Sequence, residues 1–277
     1  MTDRTASSND DARGDGVAYS GVLATYNDER HLAACLSRLS FCDDIVVVDL
    51  GSTDESVALS KEAGARVISH PWVPIGEMVR SLEFKLAKND WLVMMDPDLL
   101  FPTHRVEEVS TLIAESGNGD VGLINFPLVT FLGDHPLQHG YKGGTRLYPG
   151  IVNRRRVKVV EGVHSGAVRL AEGWRSVVLR GEGKDAIWHY WADSLSEVIT
   201  KDKRYLRLEG QSRQQSGQRF SWKSMAREVA RALRRDLARR AYLDPLSLGV
   251  MLVQVWYTWQ ANLALRAYQR VSRKGRR

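Results

Sequence analysis

The residues best suited to chemistry are Asp96 and Asp98, set one residue apart by Pro97 directly after the apolar run Trp91 to Met95. Such a run forms a strand buried on both faces. Two carboxylates at its tip are costly to keep ionised unless a positive charge sits between them. A divalent cation meets that need, and oxygen ligands suit Mg²⁺ or Mn²⁺, which keep several waters and share a phosphate-bearing substrate. Pro97 lacks an N–H, so it ends the ladder and turns both side chains toward one edge. The alternative use of Asp98 is to cap a turn before a helix near Thr103.

Two more polar clusters end apolar runs in the same way. Tyr19 to Tyr26 (YSGVLATY) reads as a strand followed at once by Asn27-Asp28-Glu29, with Asn27 or Asp28 as N-cap of a helix carrying His31, Leu32, Cys35, Leu36 and Leu39. Asp44 to Leu50 (DIVVVDL) is a second buried strand that ends on Asp49 before the turn Gly51-Ser52-Thr53-Asp54. Capping explains Asp54, but Asp49 lies inside the strand pattern. A short strand at Arg66 to Ser69 and a helix from about Gly76 to Ala87 precede Trp91. Strands alternating with helices specify an α/β, mostly parallel sheet with right-handed crossovers. Ligands bind such sheets outside the carboxyl ends of the strands, so all three polar clusters are expected along one edge.

Beyond Pro102, the pattern predicts an amphipathic helix over Val106 to Ile113 and a strand over Val121 to Phe131. The loop Gly133 to Gly144 (GDHPLQHGYKGG) is polar and Gly-rich, suited to a lid on the acceptor side. Ile187-Trp188-His189-Tyr190 offers His189 either as a packed residue or as a further metal ligand. Leu195 to Leu208 reads as helix.

The chain of 277 residues, 43% hydrophobic and 26% charged, is long enough to bury a sizeable core and has the composition of a globular protein. Its net charge of +6 is unevenly distributed: from Ile199 to Arg277 there are 19 Lys and Arg against 5 Asp and Glu. Two cysteines, Cys35 and Cys42, have no metal or framework spacing, which fits a reducing compartment. Residues 1–16 read as a flexible leader without a secretory signal. From Trp222 on, the positions Trp222, Met225, Val229, Leu233, Leu237 and Ala241 form an apolar stripe, with Arg227, Arg231, Arg234, Arg235, Arg239 and Arg240 on the other faces. A basic amphipathic helix of this kind suits either an anionic membrane surface or a packed helix with a solvated face. Leu246 to Leu265 is long enough to span a membrane, but Gln254, Thr258, Gln260 and Asn262 interrupt it, which favours a helix resting on or re-entering the membrane. The tail lacks interleaved exposed aromatics and any recognised module, so no nucleic-acid partner is expected.

The segments ATYNDERHLAACLSRL, DDIVVVDLGSTDES and NDWLVMMDPD, taken in order over residues 20–102, resemble the nucleotide-binding half of family 2 glycosyltransferases. The resemblance implies a GT-A fold, a Rossmann-like mostly parallel sheet with helices on both faces, over residues 17–198. Within it, 17–102 would bind the nucleotide and 103–198 the acceptor, and 199–277 would form a helical basic, amphipathic, membrane-associating extension. It further implies that Thr25, Tyr26 and Glu29 line the nucleotide pocket, that Asp49 accepts the ring N–H of the base, that Arg80 sits over the diphosphate, and that Asp96 and Asp98 hold Mg²⁺ or Mn²⁺. His189 would be the late histidine that such enzymes often give to the cation. Thr145 to Tyr148, Val160 to Gly166 and Lys201 to Leu206 resemble segments of the subgroup that decorates lipopolysaccharide core, with Ser165 where that subgroup has an acid. The implied reaction is inverting transfer of a hexosyl or N-acetylhexosaminyl group from a UDP-sugar to a cell-envelope glycan or lipid-linked acceptor, at the inner face of the cell membrane. Inversion needs a general base, for which Asp134, Glu161 and His164 are candidates. A nucleotidyltransferase acting on a sugar phosphate would need an early Gly-rich, Arg-containing loop that residues 20–30 lack. A catalytically inactive membrane adaptor is the other alternative.

Overall fold

The computed structural model describes residues 16–115, 119–160 and 168–274. Strands β1 (Tyr19–Thr25), β2 (Asp44–Asp49), β3 (Arg66–Ser69) and β4 (Trp91–Met94) lie in the order β3-β2-β1-β4, all parallel. The reason lies in the runs themselves: Val22, Val46, Val47, Val48, Leu92 and Val93 are completely buried, which requires helices on both faces. Helix α1 (Glu29–Ser37) brings Leu32, Cys35 and Leu36 onto the face that carries Leu23, Val47 and Val93. On the other face, Val79 and Phe84 pack against Val22, Val46 and Val48, with Phe84 supplied by α2 (Ser56–Glu62)'s successor α3 (Arg80–Leu86). A single 3₁₀ turn, Gly76–Val79, leads into α3, so the predicted helix is divided there.

The second half continues the sheet with its direction partly reversed. After β5 (Leu99–Leu100) and α4 (Val106–Glu115) come β6 (Val121–Leu132), β7 (His135–Pro136) and β8 (Arg146–Asn153). Strand β8 runs antiparallel between β4 and β6, so β6 points the same way as β1, β2 and β4. The antiparallel pair β9 (Val157–Val159) and β10 (Val168–Leu170) stands apart from the large sheet, while β11 (Arg175–Val178) and β12 (Ile187–Ala192) both join β6 in parallel. Across β8, Val93 of β4 is level with Ile124 of β6, yet β6 runs on to Leu132. Its far end, carrying β12 and β7, therefore stands as a wall beyond the edge where β4 stops.

Among the described residues, three helices follow β12: α5 (Leu195–Gln215), α6 (Trp222–Ala238) and α7 (Pro245–Lys274). Ser194 and Ser221 cap the first two, accepting hydrogen bonds from the Glu197 and Ser224 N–H groups. Helices α5 and α7 approach so closely that a Cβ on Gly210 would lie 2.6 Å from the Ala264 carbonyl oxygen. The apolarity of Leu246 to Leu265 has a local use: Val250, Met251, Val253, Ala261 and Leu265 are buried. Its polar interruptions are used as well. Asn262 is buried and donates to Glu228 at 2.9 Å, while Tyr257 donates to Glu209 at 2.6 Å and Arg213 pairs with both carboxylates. Among the described residues, no helix is long and apolar enough to cross a membrane. The packed face of α6 also differs from the expected stripe: Met225, Ala232 and Asp236 are buried, whereas Trp222, Leu233 and Leu237 are exposed. Asp236 is turned inward by hydrogen bonds that no hydrophobic periodicity could reveal.

At the amino ends of the strands, Asp44 is a closed structural anchor. Its buried carboxylate accepts from Arg66 through Nε at 2.8 Å and Nη2 at 2.9 Å, from the Ser20 hydroxyl and from the Lys88 N–H. Burial acts to raise its pKa, but the hydrogen bond from Arg66 and those from Lys88 and Ser20 hold it below the usual range. A depressed carboxylate pKa contributes stability that is present above the unfolded value and lost as pH falls through the folded one. Asp44→Asn is accordingly expected to cost about 1–3 kcal/mol in urea unfolding at neutral pH. The gap from the parent protein should close progressively below about pH 4.

Candidate active site

The carboxyl ends of β1, β2 and β4 form one edge. Thr25 and Asp49 are register partners, and the Met95 N–H bonds to the Val22 carbonyl at 3.1 Å, which extends β4 along β1 up to Asp96. Asp49 is buried, and its carboxylate accepts from the Ser52 N–H at 3.0 Å and the Gly51 N–H at 3.3 Å. Gly51 has φ of 89°, a backbone region in which a side chain would be strained, so the turn can fold tightly around Asp49.

The loops after β1 and β2 are laced together. Asn27 adopts φ of 54°; its Oδ1 accepts from the Thr53 N–H at 2.8 Å while its N–H donates to the Ser52 hydroxyl. Glu29 accepts from the Glu55 N–H at 3.1 Å, and Asp54 accepts in return from the Glu29 N–H at 3.0 Å. Glu29 is thus engaged with the start of α2, whereas Thr25 is buried and donates to Asp28. Tyr26 is 38% exposed and meets the edge of Trp72 with ring centroids 6.3 Å apart.

Each aspartate of the Asp96-Pro97-Asp98 turn has a basic residue beside it. Arg80, expected either over a diphosphate or on a solvated helix face, is 3% exposed and bonds Glu83 at 2.8 Å and Asp96 at 3.4 Å. Half of the Asp96 side chain is exposed, and the protein atoms packed around it raise it to about 6 against the pull of Arg80, with Glu77 and Asp98 adding to the rise. Asp98 behaves oppositely: burial acts to raise it, but His189 and Lys201 hold it below the usual range. His189 arrives through strand pairing, since β12 runs antiparallel to β5 with His189 opposite Leu99, which leaves its Nε2 3.5 Å from Asp98 Oδ2.

Among the described residues, no group of three or more His, Cys, Asp or Glu side chains forms a ready-made metal cage. The donors at this edge nevertheless fit an open site for Mg²⁺ or Mn²⁺, which take few carboxylates and complete their shell with water and phosphate oxygens. Half of the Asp96 side chain is exposed at this edge, so its carboxylate is accessible to such an ion.

The wall formed by β6 and β12 bounds the site on its far side. Asp134 is exposed in the turn after β6, at the same edge of the sheet. Glu161 and His164 lie outside the described residues. Several side chains that sequence reasoning passed over also gather here. Tyr148, opposite Phe126 in the β8–β6 pairing, lies within electrostatic reach of Asp96, Arg80 and Asp98. Lys201 donates to the Trp191 carbonyl at 2.5 Å and acts on both Asp28 and Asp98. Lys142, from the Gly-rich loop, stands at the margin of the site, drawn more by Asp202 than by Asp98. Each stood in a segment that the sequence had marked, Tyr148 in TRLY, Lys142 in the Gly-rich loop and Lys201 in KDKRYL, but none of the three was named as a site residue.

A parallel sheet that turns antiparallel at β8, with an Asp-X-Asp turn where the direction changes, is the GT-A arrangement. Residues 20–150 match the family described as glycosyl transferase family 2, and the chain carries a glycosyltransferase domain of that family, a class that uses nucleotide-sugar donors. A Rickettsia felis protein named as an uncharacterized glycosyltransferase is 25% identical over 211 residues, covering 73% of this chain and 72% of that relative. A second such protein, from Rickettsia typhi, is 30% identical over 97 residues, 34% of this chain and 32% of its own length. Among solved structures, residues 1–349 of S. aureus TarS share 15% identity with a TM-score of 0.45, covering 94% of this chain and 92% of that one. Glucosyl-3-phosphoglycerate synthase from Mycobacterium tuberculosis, solved with Mn²⁺, UDP and glucosyl-3-phosphoglycerate, shares 23% identity with a TM-score of 0.33 over 42% of this chain and 44% of that one.

The lacing of the first two loops is directly testable. Asn27→Ala removes the acceptor for Thr53 and leaves alanine at a left-handed φ, so it should lower unfolding stability by about 1–2 kcal/mol. Amide exchange at Thr53 should quicken while the Asp44 anchor at the opposite end of the sheet keeps its protection.

Proposed function

We propose that the protein is an inverting, metal-dependent transferase that moves a hexosyl or N-acetylhexosaminyl group from a UDP-sugar to a cell-envelope glycan or lipid-linked acceptor. The observation that carries this reading is the placement of Asp49, Asp96 and Asp98 on a single edge, with His189 beside the last of them. Asp49 would accept the uracil N–H, a contact that leaves a wrong base with an unpaired buried group. Thr25 and Tyr26 would line the nucleotide pocket, with Glu29 bracing its outer loop. Arg80 would act through Asp96, whose carboxylate it orients. Asp96 and Asp98, with His189 alongside, would hold Mg²⁺ or Mn²⁺, which when bound neutralises charge on a departing diphosphate.

As the bond between the anomeric carbon and the diphosphate oxygen breaks, the acceptor hydroxyl attacks from the opposite face through an oxocarbenium-like centre. Its proton passes to a base drawn from Asp134, Glu161 and His164. The acceptor would be met at the inner face of the cell membrane. There the exposed Trp222, Leu233 and Leu237 of α6, interspersed with Arg227, Arg231 and Arg234, suit an anionic lipid surface.

A donor screen by isothermal titration with Mn²⁺ tests the reading. UDP and one UDP-sugar should bind, and Asp49→Ala should weaken UDP at least tenfold, about 1.4 kcal/mol. Asp98→Asn should lower turnover by about 100-fold or more. Equal affinity for all nucleotides, or turnover indifferent to Asp98, would remove the basis of the assignment.

A further inference from the structure

Beyond the aspartates, the Gly-rich loop gathers positive charge around two aromatic rings. Lys142 Nζ lies 4.6 Å from the centroid of Trp191 and 5.9 Å from that of Tyr141. The guanidinium carbons of Arg146 and Arg235 lie 5.2 Å and 3.7 Å from the same Tyr141 ring. These cations come from three separate elements: the loop, the start of β8, and α6. Arg235 pairs with Asp236 at 2.9 Å but keeps a buried Nε without a hydrogen-bond partner. Among the described residues, no carboxylate lies within ion-pair distance of Lys142 or Arg146, and Asp202, the buried acid that faces Lys142, has an unpartnered Oδ2. Like charges brought together under partial burial repel one another unless an anion joins them. Burial, with Arg146 and Arg235, lowers Lys142 to about 8 against the pull of Asp202 and Asp98.

The arrangement is fixed in place. The Tyr141 N–H donates to Asp236 at 2.6 Å, and the Gly140 N–H donates to the Arg239 carbonyl at 3.0 Å. Gly140 has φ of 75°, and a Cβ there would lie 3.1 Å from Asp236 Oδ1, so the loop can sit on α6 only with glycine at this position. Trp191 follows His189 by two residues at the end of β12, which sets the cluster on the wall side of the donor edge.

We propose that Lys142, Arg146 and Arg235, held on the faces of Tyr141 and Trp191, form a subsite for a phosphate group carried by the acceptor, separate from the donor diphosphate at Asp96 and Asp98. The inference rests on the transferase reading above and narrows its acceptor to a phosphate-bearing glycan or lipid. Arginine and lysine are the side chains that recognise phosphate, the first through a planar fork and the second as a point charge.

The test uses full-length protein saturated with UDP and Mg²⁺ and titrated with inorganic phosphate by calorimetry and thermal shift. Phosphate should bind on top of UDP. Lys142→Gln and Arg146→Gln should each weaken it at least tenfold, Lys142→Arg should recover most of the loss, and UDP affinity should stay within twofold in all three variants. Absence of phosphate binding to the UDP-saturated protein would overturn the proposal. So would a tenfold loss of UDP affinity in Lys142→Gln, which would assign these cations to the donor diphosphate. Protein that takes phosphate through Lys142 but takes no UDP would keep the subsite and sink the transferase reading instead.

Discussion

Parallel alignment of strands that end in acids is the constraint on which this structure turns. Aligning β2, β1 and β4 brings carboxylates to one edge, where they repel one another and resist burial. The protein answers differently at each. Asp49 is wrapped by backbone N–H groups of its own turn, Asp98 is given a histidine from a distant strand, and Asp96 shares a buried arginine with Glu83. Asp96 keeps half of its side chain exposed at this edge, with Arg80 divided between it and Glu83.

The opposite end of the same sheet shows what an acid looks like when its role is structural. Asp44 is ringed by an arginine, a hydroxyl and a backbone N–H, and binds Arg66 through both carboxylate oxygens. Nothing there remains open to a ligand. The two ends of β2 thus carry aspartates with opposite economies of hydrogen bonding, one closed around the carboxylate and one facing the edge at which three strands stop.

The C-terminal helices are part of this design rather than an addition to it. Helix α6 receives the Gly-rich loop through Asp236 and the Arg239 carbonyl, and it delivers Arg235 to the face of Tyr141. Helix α7 secures α5 and α6 through Tyr257 and Asn262, which complete a buried network around Glu209, Arg213 and Glu228. Such a network specifies how helices sit, because each misplaced member would leave a buried polar group unpaired. Charge concentrated in the tail is thus divided, with Arg235 laid on the Tyr141 ring and Arg227, Arg231 and Arg234 exposed.

The strands and helices of the first hundred residues were legible in the sequence, because runs such as DIVVVDL and WLVMM admit few structures other than strands buried on both faces. The convergence of three acidic clusters followed from parallel topology alone. What the sequence could not express was anything depending on contacts between distant segments. The position of His189 beside Asp98 is decided by β5 pairing with β12, and the burial of Arg80 by where α3 meets the sheet. The inward turn of Asp236 and the gathering of Lys142, Arg146 and Arg235 likewise arise only when a loop, a strand and a helix meet. Periodicity records which face of an element is apolar; it carries no information about which polar side chains another element will meet, and that was left to the tertiary structure.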